Sequence, residues 1–298
     1  MNRDNLKTKL LMGAACAAAF FLTLSSAQAQ ATRHHRSGYD FTAPDQVTQR
    51  SFSLGSTPLV KVDNVNGPIT VVADGGAEIR LTATESIFAE SQGLVAEAQR
   101  DVKLQISQTS DSVDFYVDGP FRCHDGDHGC NWDNPGYETR FAFELHVPTG
   151  ARVDVKTVND GDITVRGVRG GFLAHNINGG LDIEDVAGSG EARTINGKVK
   201  AVFAANPTGN CAFATLNGEM NVYFPAGLNA VLRYKSFNGA VYSDFEVQPL
   251  AATATVSSRD NGRRVIRSNQ FNRGQVGTGG PEITLDGFNG NVYIHRVR

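Results

Sequence analysis

From Phe52 onward, apolar and polar residues alternate in short runs. Residues 59–62, 69–72, 78–84, 102–106 and 113–117 each change character at nearly every step. Phe141, Phe143, Leu145 and Val147 mark another such run, closed by the turn-forming Pro148-Thr149-Gly150. Period two is the signature of a strand with one buried face, whereas a helix buries every third or fourth residue. Helical spacing occurs once, over residues 89–100, where Glu, Gln and Ala predict one short helix.

Beyond residue 150 the chain repeats itself. An apolar-Asn-Gly triplet recurs as Ile177-Asn178-Gly179, Ile195-Asn196-Gly197, Leu216-Asn217-Gly218, Phe237-Asn238-Gly239 and Phe288-Asn289-Gly290. Val158-Asn159-Asp160-Gly161 is the same unit with one insertion, and Val65-Asn66-Gly67 is an outlying early copy. Successive Asn positions from 159 to 238 lie 19, 18, 21 and 21 residues apart, and a short alternating strand follows most of them. A second half-unit, Gly170-Gly171-Phe172-Leu173-Ala174 or Gly188-Ser189-Gly190-Glu191-Ala192, precedes a triplet.

Asn-Gly is a strong turn signal because both residues accept positive φ. A turn and a strand repeated at a fixed period make rungs that bury their apolar faces only by stacking. The predicted fold is therefore all-β, a β-solenoid or β-helix of about twenty-residue rungs with Asn-Gly corners. The Asn side chains would stack into a ladder, and the apolar residue before each Asn would point into the core. The alternative is an antiparallel β-sandwich of hairpins with Asn-Gly turns. An open stack end is an exposed sheet edge, and the strands next to the leader and the last strand, 291–297, are the expected caps.

The chain start has its own pattern. Arg3, Lys7 and Lys9 precede an apolar run over residues 10–24 and the tripeptide Ala27-Gln28-Ala29, the three parts of a secretory signal peptide. Residues 1–29 are read as that signal, 30–50 as a flexible leader containing His34 and His35, and 51–298 as the β-repeat domain, with a polar loop at 118–136. Cleavage removes three basic residues and Asp4, leaving 25 basic against 30 acidic residues, a net charge of −5. This mildly acidic balance argues against a nucleic-acid partner, and no later stretch is apolar enough for a transmembrane helix. The expected location is the periplasm or cell surface of a bacterium.

The run Val153-Asp154-Val155-Lys156-Thr157-Val158-Asn159, then Gly161-Asp162-Ile163-Thr164-Val165, and the motif Thr194-Ile195-Asn196-Gly197 resemble the putative-adhesin family of β-strand-repeat domains of unknown function. The likeness covers roughly residues 52–295 and is best over 140–245. It implies a solenoid-like fold and a surface or scaffold role, and it offers no catalytic residues.

One loop concentrates chemistry. Cys123-His124-Asp125-Gly126-Asp127-His128-Gly129-Cys130 could close a Cys123–Cys130 disulfide in an oxidising compartment. It could instead hold a divalent metal through His124, Asp125, Asp127 and His128. The two readings compete, because a disulfide removes the thiolates. Cys211, inside the repeats, reads as a small buried residue. No nucleophile elbow, Ser-x-x-Lys pair, zinc-protease helix or phosphate loop is present in the sequence, and carboxylate pairs such as Asp160 with Asp162 or Glu184 with Asp185 are common on strand surfaces. The expectation is a non-enzymatic exported scaffold or adhesin-like protein with no resident cofactor, facing an envelope protein or glycan. The alternatives are a periplasmic binder of metal or a small ligand through residues 123–133 and, third, a carbohydrate-active β-helix enzyme.

Overall fold

The computed structural model describes residues 38–122, 135–250, 257–260, 263–266 and 271–297. The segment read as signal peptide and residues 30–37 of the leader thus fall outside the described residues. So do Cys123, His124, Asp125, Asp127, His128 and Cys130. Residues 38–50 of the leader are described and contain strand at 41–42 and from 46 onward.

The described chain is all-β apart from one helix. It opens with β1 (Phe41–Thr42), β2 (Gln46–Phe52), β3 (Leu59–Asp63), β4 (Ile69–Ala73) and β5 (Ile79–Ala89). Helix α1 (Gln92–Asp101) follows, at the place its spacing predicts, with Ser91 Oγ accepting from the Leu94 N–H at 3.4 Å as its N-cap. After it come β6 (Lys103–Gln108), β7 (Ser112–Asp118) and β8 (Tyr137–Val147). The repeat region holds β9 (Arg152–Lys156), β10 (Ile163–Arg166), β11 (Phe172–His175), β12 (Leu181–Val186), β13 (Gly190–Asn196), β14 (Val199–Phe203), β15 (Cys211–Asn217), β16 (Met220–Phe224), β17 (Ala230–Asn238) and β18 (Val241–Ser243). The chain then runs through β19 (Gln248–Pro249), β20 (Ser257–Asp260), β21 (Arg263–Ile266) and β22 (Asn272–Val276) to β23 (Glu282–Asn289) and β24 (Val292–Arg296).

Two eleven-stranded sheets carry most of these strands. The first has the order β1-β5-β8-β4-β10-β12-β14-β16-β24-β18, with β2 also on β5. The second runs β19-β22-β17-β23-β15-β13-β11-β9-β3-β7-β6. From β9 to β18 the chain passes to the other sheet at every strand, and each strand pairs in parallel with its neighbours in its own sheet, except that β17 also meets β22 antiparallel. Both sheets are nonetheless mixed. Antiparallel pairs β5·β8 and β6·β7 close one end, and β17·β22 with β19·β22 close the other end of the second sheet. A parallel coil of rungs is therefore not continuous over 51–298, and the central pairing is not that of hairpins either.

The core lies between the sheets and takes alternate residues from both. Val153, Val155, Phe172, Ala174, Phe213 and Leu285 enter from one side, and Ile163, Val165, Leu181, Ile183, Val222 and Ile294 from the other, all essentially removed from water. Phe203 sits at the centre of an aromatic group, 5.0 Å from Phe224, 6.1 Å from Phe213 and 6.4 Å from Phe172 between ring centroids. Cys211 is a free, buried thiol in this core, and burial raises its pKa.

Two expectations about order are corrected. Val65-Asn66-Gly67 is no outlier, because Asn66 bridges Asn159 directly and β4 and β9 pair as stack strands, so residues 74–151 are a long insertion between one strand of the stack and the next. The last strand is no cap either. β23 lies between β15 and β17, and β24 between β16 and β18, so the C-terminal rung is interior. Register is what permits this, since Asn289 aligns with Asn217 on one side and Asn238 on the other.

Candidate interaction surface

The repeated corners are built from four residues with distinct tasks. In β13, Ala192 and Thr194 are buried while Arg193 and Ile195 face outward. Strand alternation continues to the corner, so the apolar residue before each Asn points away from the core, contrary to expectation. Ile177, Ile195, Leu216 and Phe288 are 38–43% exposed, and Phe237 is 60% exposed. Counting parity back from Ala192 would have found this, because positions of one strand face share parity.

At five corners the inward residue is small and polar. Thr157, Thr194 and Thr215 donate their hydroxyls to the carbonyls of Gly67, Gly179 and Gly197 at 2.9, 2.8 and 2.8 Å. Asn176 Nδ2 donates to the Gly161 carbonyl at 2.9 Å, and Ser236 Oγ to that of Gly290 at 2.7 Å. These five corners thus satisfy a buried carbonyl of a neighbour, which would otherwise cost about 1–3 kcal/mol; at the Asn289 corner the inward residue is Gly287, which has no side chain.

The Asn side chains do form a ladder. Amide nitrogens of Asn178, Asn196, Asn217, Asn289 and Asn238 donate to the amide oxygens of Asn159, Asn178, Asn196, Asn217 and Asn289 at 2.7–2.8 Å, and Asn159 donates to Asn66 at 3.4 Å. Every bond points the same way along the stack. The glycines serve a purpose other than the expected one. Positive φ is seen at Gly67 and Gly290, but not at Gly179, Gly197, Gly218 or Gly239. What these four share is crowding, since a Cβ on any of them would collide with the glycine carbonyl of the next corner.

The outer face of the first sheet carries a second group. Tyr242, Tyr293 and Tyr223 come from β18, β24 and β16, with His295 beside them. Ring centroids are 5.0 Å apart for Tyr242 with Tyr293 and 4.5 Å for Tyr223 with His295, and both pairs are near parallel. Tyr242 stands on the edge strand of the sheet and is 51% exposed. Asn221 and Asn291 flank the rings, bonded to His295 at 3.2 Å and to the Tyr293 hydroxyl at 3.1 Å. The aromatics that thicken toward the C-terminus thus divide. Phe224 and Phe245 fill the core, while Tyr242, Phe237 and Phe288 face solvent.

The carboxylate pairs are engaged in structure. Glu184 bonds Lys200 and lies 2.9 Å from Arg166, and the Lys200 ammonium holds its carboxyl below the usual range. Asp185, at positive φ, pairs with Arg169 at 3.0 Å. Asp162 accepts from the Gly180 N–H at 2.6 Å, and Asp160 lies 3.8 Å from Arg140. His175 and Arg193 both bind Glu191; burial raises its pKa, and these two partners outweigh burial to lower it. Among the described residues, no group of three or more His, Cys, Asp or Glu is placed to hold a metal ion, and no helix is long and apolar enough to cross a membrane. The 123–130 loop, with its possible metal ligands and disulfide, lies outside the described residues.

No known family profile and no curated protein matches the sequence. Among solved structures, the chain is similar to a putative cell adhesion protein from Clostridium sporogenes, at 10% identity and a TM-score of 0.40, over 85% of this chain and 100% of that one. It is also similar to a putative adhesin from Bacteroides fragilis (9% identity, TM-score 0.30, 85% and 97% coverage) and to a putative lipid binding protein from Parabacteroides distasonis (12%, 0.26, 85% and 97%). The resemblance to adhesin-like proteins read from the corner motifs has its counterpart among these names.

Proposed function

We propose that this chain is an exported, non-catalytic scaffold whose central rungs form a two-sheeted β-solenoid. On this reading it presents the outer face of the first sheet to a glycan of the bacterial envelope. The observation that carries the reading is the ring group Tyr242, Tyr293, His295 and Tyr223, held at strand spacing on a rigid sheet. A sugar ring has an apolar C–H face and a rim of hydroxyls. Aromatic side chains with polar tips match that mixture, which is why they concentrate at recognition surfaces. The uncovered face of Tyr242 at the sheet edge offers a stacking surface, and Asn221 and Asn291 supply amide donors and acceptors beside it. The engaged carboxylates support a binding role over hydrolysis, since a glycosidase needs two acids free to exchange protons across the scissile bond.

The experiment is a screen of the mature protein, residues 30–298, against envelope polysaccharides, followed by titration calorimetry with any ligand found. Tyr242→Ala combined with Tyr293→Ala should weaken binding at least tenfold while leaving circular dichroism unchanged. Binding untouched by that pair, or release of reducing sugar from the ligand, overturns the reading. Protein recovered from the envelope fraction should begin at Gln30; recovery from the cytosol with Met1 retained would remove the export half.

A further inference from the structure

The outward residues at the corners form one continuous apolar ridge. In spatial order they are Val65, Val158, Ile177, Ile195, Leu216, Phe288 and Phe237, because the corner of residue 289 sits between those of 217 and 238. At about 4.8 Å per rung the ridge is roughly 29 Å long. It contains no charge, and its bulk rises steadily from valine at one end to the stacked Phe237–Phe288 pair, 4.8 Å apart, at the other.

We infer that this ridge is a self-association surface, on which a second copy of the chain packs in antiparallel register about a two-fold axis at Ile195. Three features favour that arrangement over parallel packing of two ridges. The first is shape. Reversing one ridge sets Phe237 against the second copy's Val65, Phe288 against Val158, Leu216 against Ile177, and Ile195 against itself, so the summed thickness stays even. Parallel packing would set phenylalanine on phenylalanine and valine on valine, leaving a wedge.

The second is charge. The neighbouring outward row on the same strands reads Asp63, Lys156, His175, Arg193, Ala214, Asp286 and Lys235. A two-fold axis across the ridge sets this row against itself reversed. Asp63 then faces the second copy's Lys235, and Lys156 its Asp286. These contacts extend pairs already present within one chain, Arg122 with Asp63 at 2.8 Å and Lys235 with Asp286 at 3.2 Å. The like pair on the axis, Arg193 with Arg193, is neutralised in each chain by Glu191.

The third is the ladder. Its amide dipoles all point one way, so two ladders side by side attract when antiparallel and repel when parallel. Each copy would bury on the order of 600 Å² in this contact, at the low end for specific interfaces and in the range of weak, reversible association. Self-packing leaves the outer face of the first sheet open, and the inference stands whether or not that face binds glycan.

The test uses the mature chain with a photo-reactive benzoylphenylalanine in place of Phe237, an exposed site, mixed as heavy-isotope and natural-abundance copies. Sedimentation should show a monomer–dimer equilibrium. Irradiation should give mixed-isotope crosslinks mapping to residues 63–67, and the same probe at Ile195 should crosslink to residues 193–197. Ile195→Asp, also at an exposed position, should weaken dimerisation at least tenfold with circular dichroism unchanged. A monomer at about 200 µM, crosslinks from 237 to 237, or a monomer that binds phospholipid vesicles through the ridge would each overturn the inference.

Discussion

Replacing Asn196 by Ala in the middle of the ladder removes two side-chain hydrogen bonds, Asn196 to Asn178 at 2.8 Å and Asn217 to Asn196 at 2.7 Å. Backbone pairing is untouched, because the Asn196 N–H still donates to the Ile177 carbonyl at 2.7 Å. A net hydrogen bond contributes about 0.5–1.5 kcal/mol. The ladder is solvent-exposed, so water re-solvates the orphaned amides and the lower half of that range applies. Two bonds then give a loss of about 1–2 kcal/mol, with mutual polarisation along the chain adding a few tenths. Asn238→Ala at the ladder end removes one bond, to Asn289 at 2.7 Å, and should cost about half as much. Asn196→Asp keeps the acceptor for Asn217 but sets a carboxylate oxygen against the Asn178 oxygen. It should exceed the alanine cost at neutral pH and approach it once the carboxyl protonates, below about pH 4. The assay is urea unfolding of each variant followed by far-UV circular dichroism, compared at equal slope. Equal losses for Asn196→Ala and Asn238→Ala, or an Asp variant as stable as wild type at pH 7, would refute the ladder as a source of stability.

Gly197→Ala puts a Cβ into the Gly179 carbonyl and should destabilise by roughly 2–4 kcal/mol, far above the usual Gly→Ala effect, as read by thermal unfolding. Phe203→Ala empties the centre of the aromatic group and should cost about 3–5 kcal/mol in the same assay. Burial raises the pKa of Asp114, with Lys61 opposing and Asp63 and Asp154 adding to the shift. A folded pKa above the unfolded one means the charged form costs stability above the folded pKa, and the cost vanishes below the unfolded value. Asp114→Asn should therefore stabilise at pH 7, with the gain disappearing as pH falls through the acid range; a gain independent of pH between 3 and 7 would contradict this assignment.

Much of the architecture was written in local pattern. Period two located the strands, the 89–100 spacing located the helix, and the Asn spacing located the corners, because each is a property of neighbouring residues. Two things escaped for different reasons. The outward aim of Ile177, Ile195 and Leu216 runs against the usual link between apolar character and burial, although strand parity with Ala192 already points them outward. The place of β23 and β24 inside the stack could not be read at all. Residues 230–238 and 282–289 both match the register of 211–217, so sequence order and spatial order are independent choices. The interaction surface was half legible. Its aromatics were evident, but their division between core and face depends on strand phase. The 123–130 loop is the most chemically loaded stretch of the sequence and lies outside the described residues.

The interior position of the C-terminal rung has a kinetic consequence. A stack built in chain order can grow as each rung is synthesised, every new one docking on the last. Here β17 and β18 are made before β23 and β24, yet rest on them. In a chain still lacking its last residues, β17 faces an empty, register-matched neighbour in β15, with Asn238 as far from Asn217 as Asn217 is from Asn196. That premature pairing occupies the slot the final rung must enter. Native folding therefore waits for residues 282–296 and requires either that the slot stay open or that one formed sheet pair be broken. Refolding should show a slow phase that is absent from a chain truncated before residue 282, in which the shortcut is the end state.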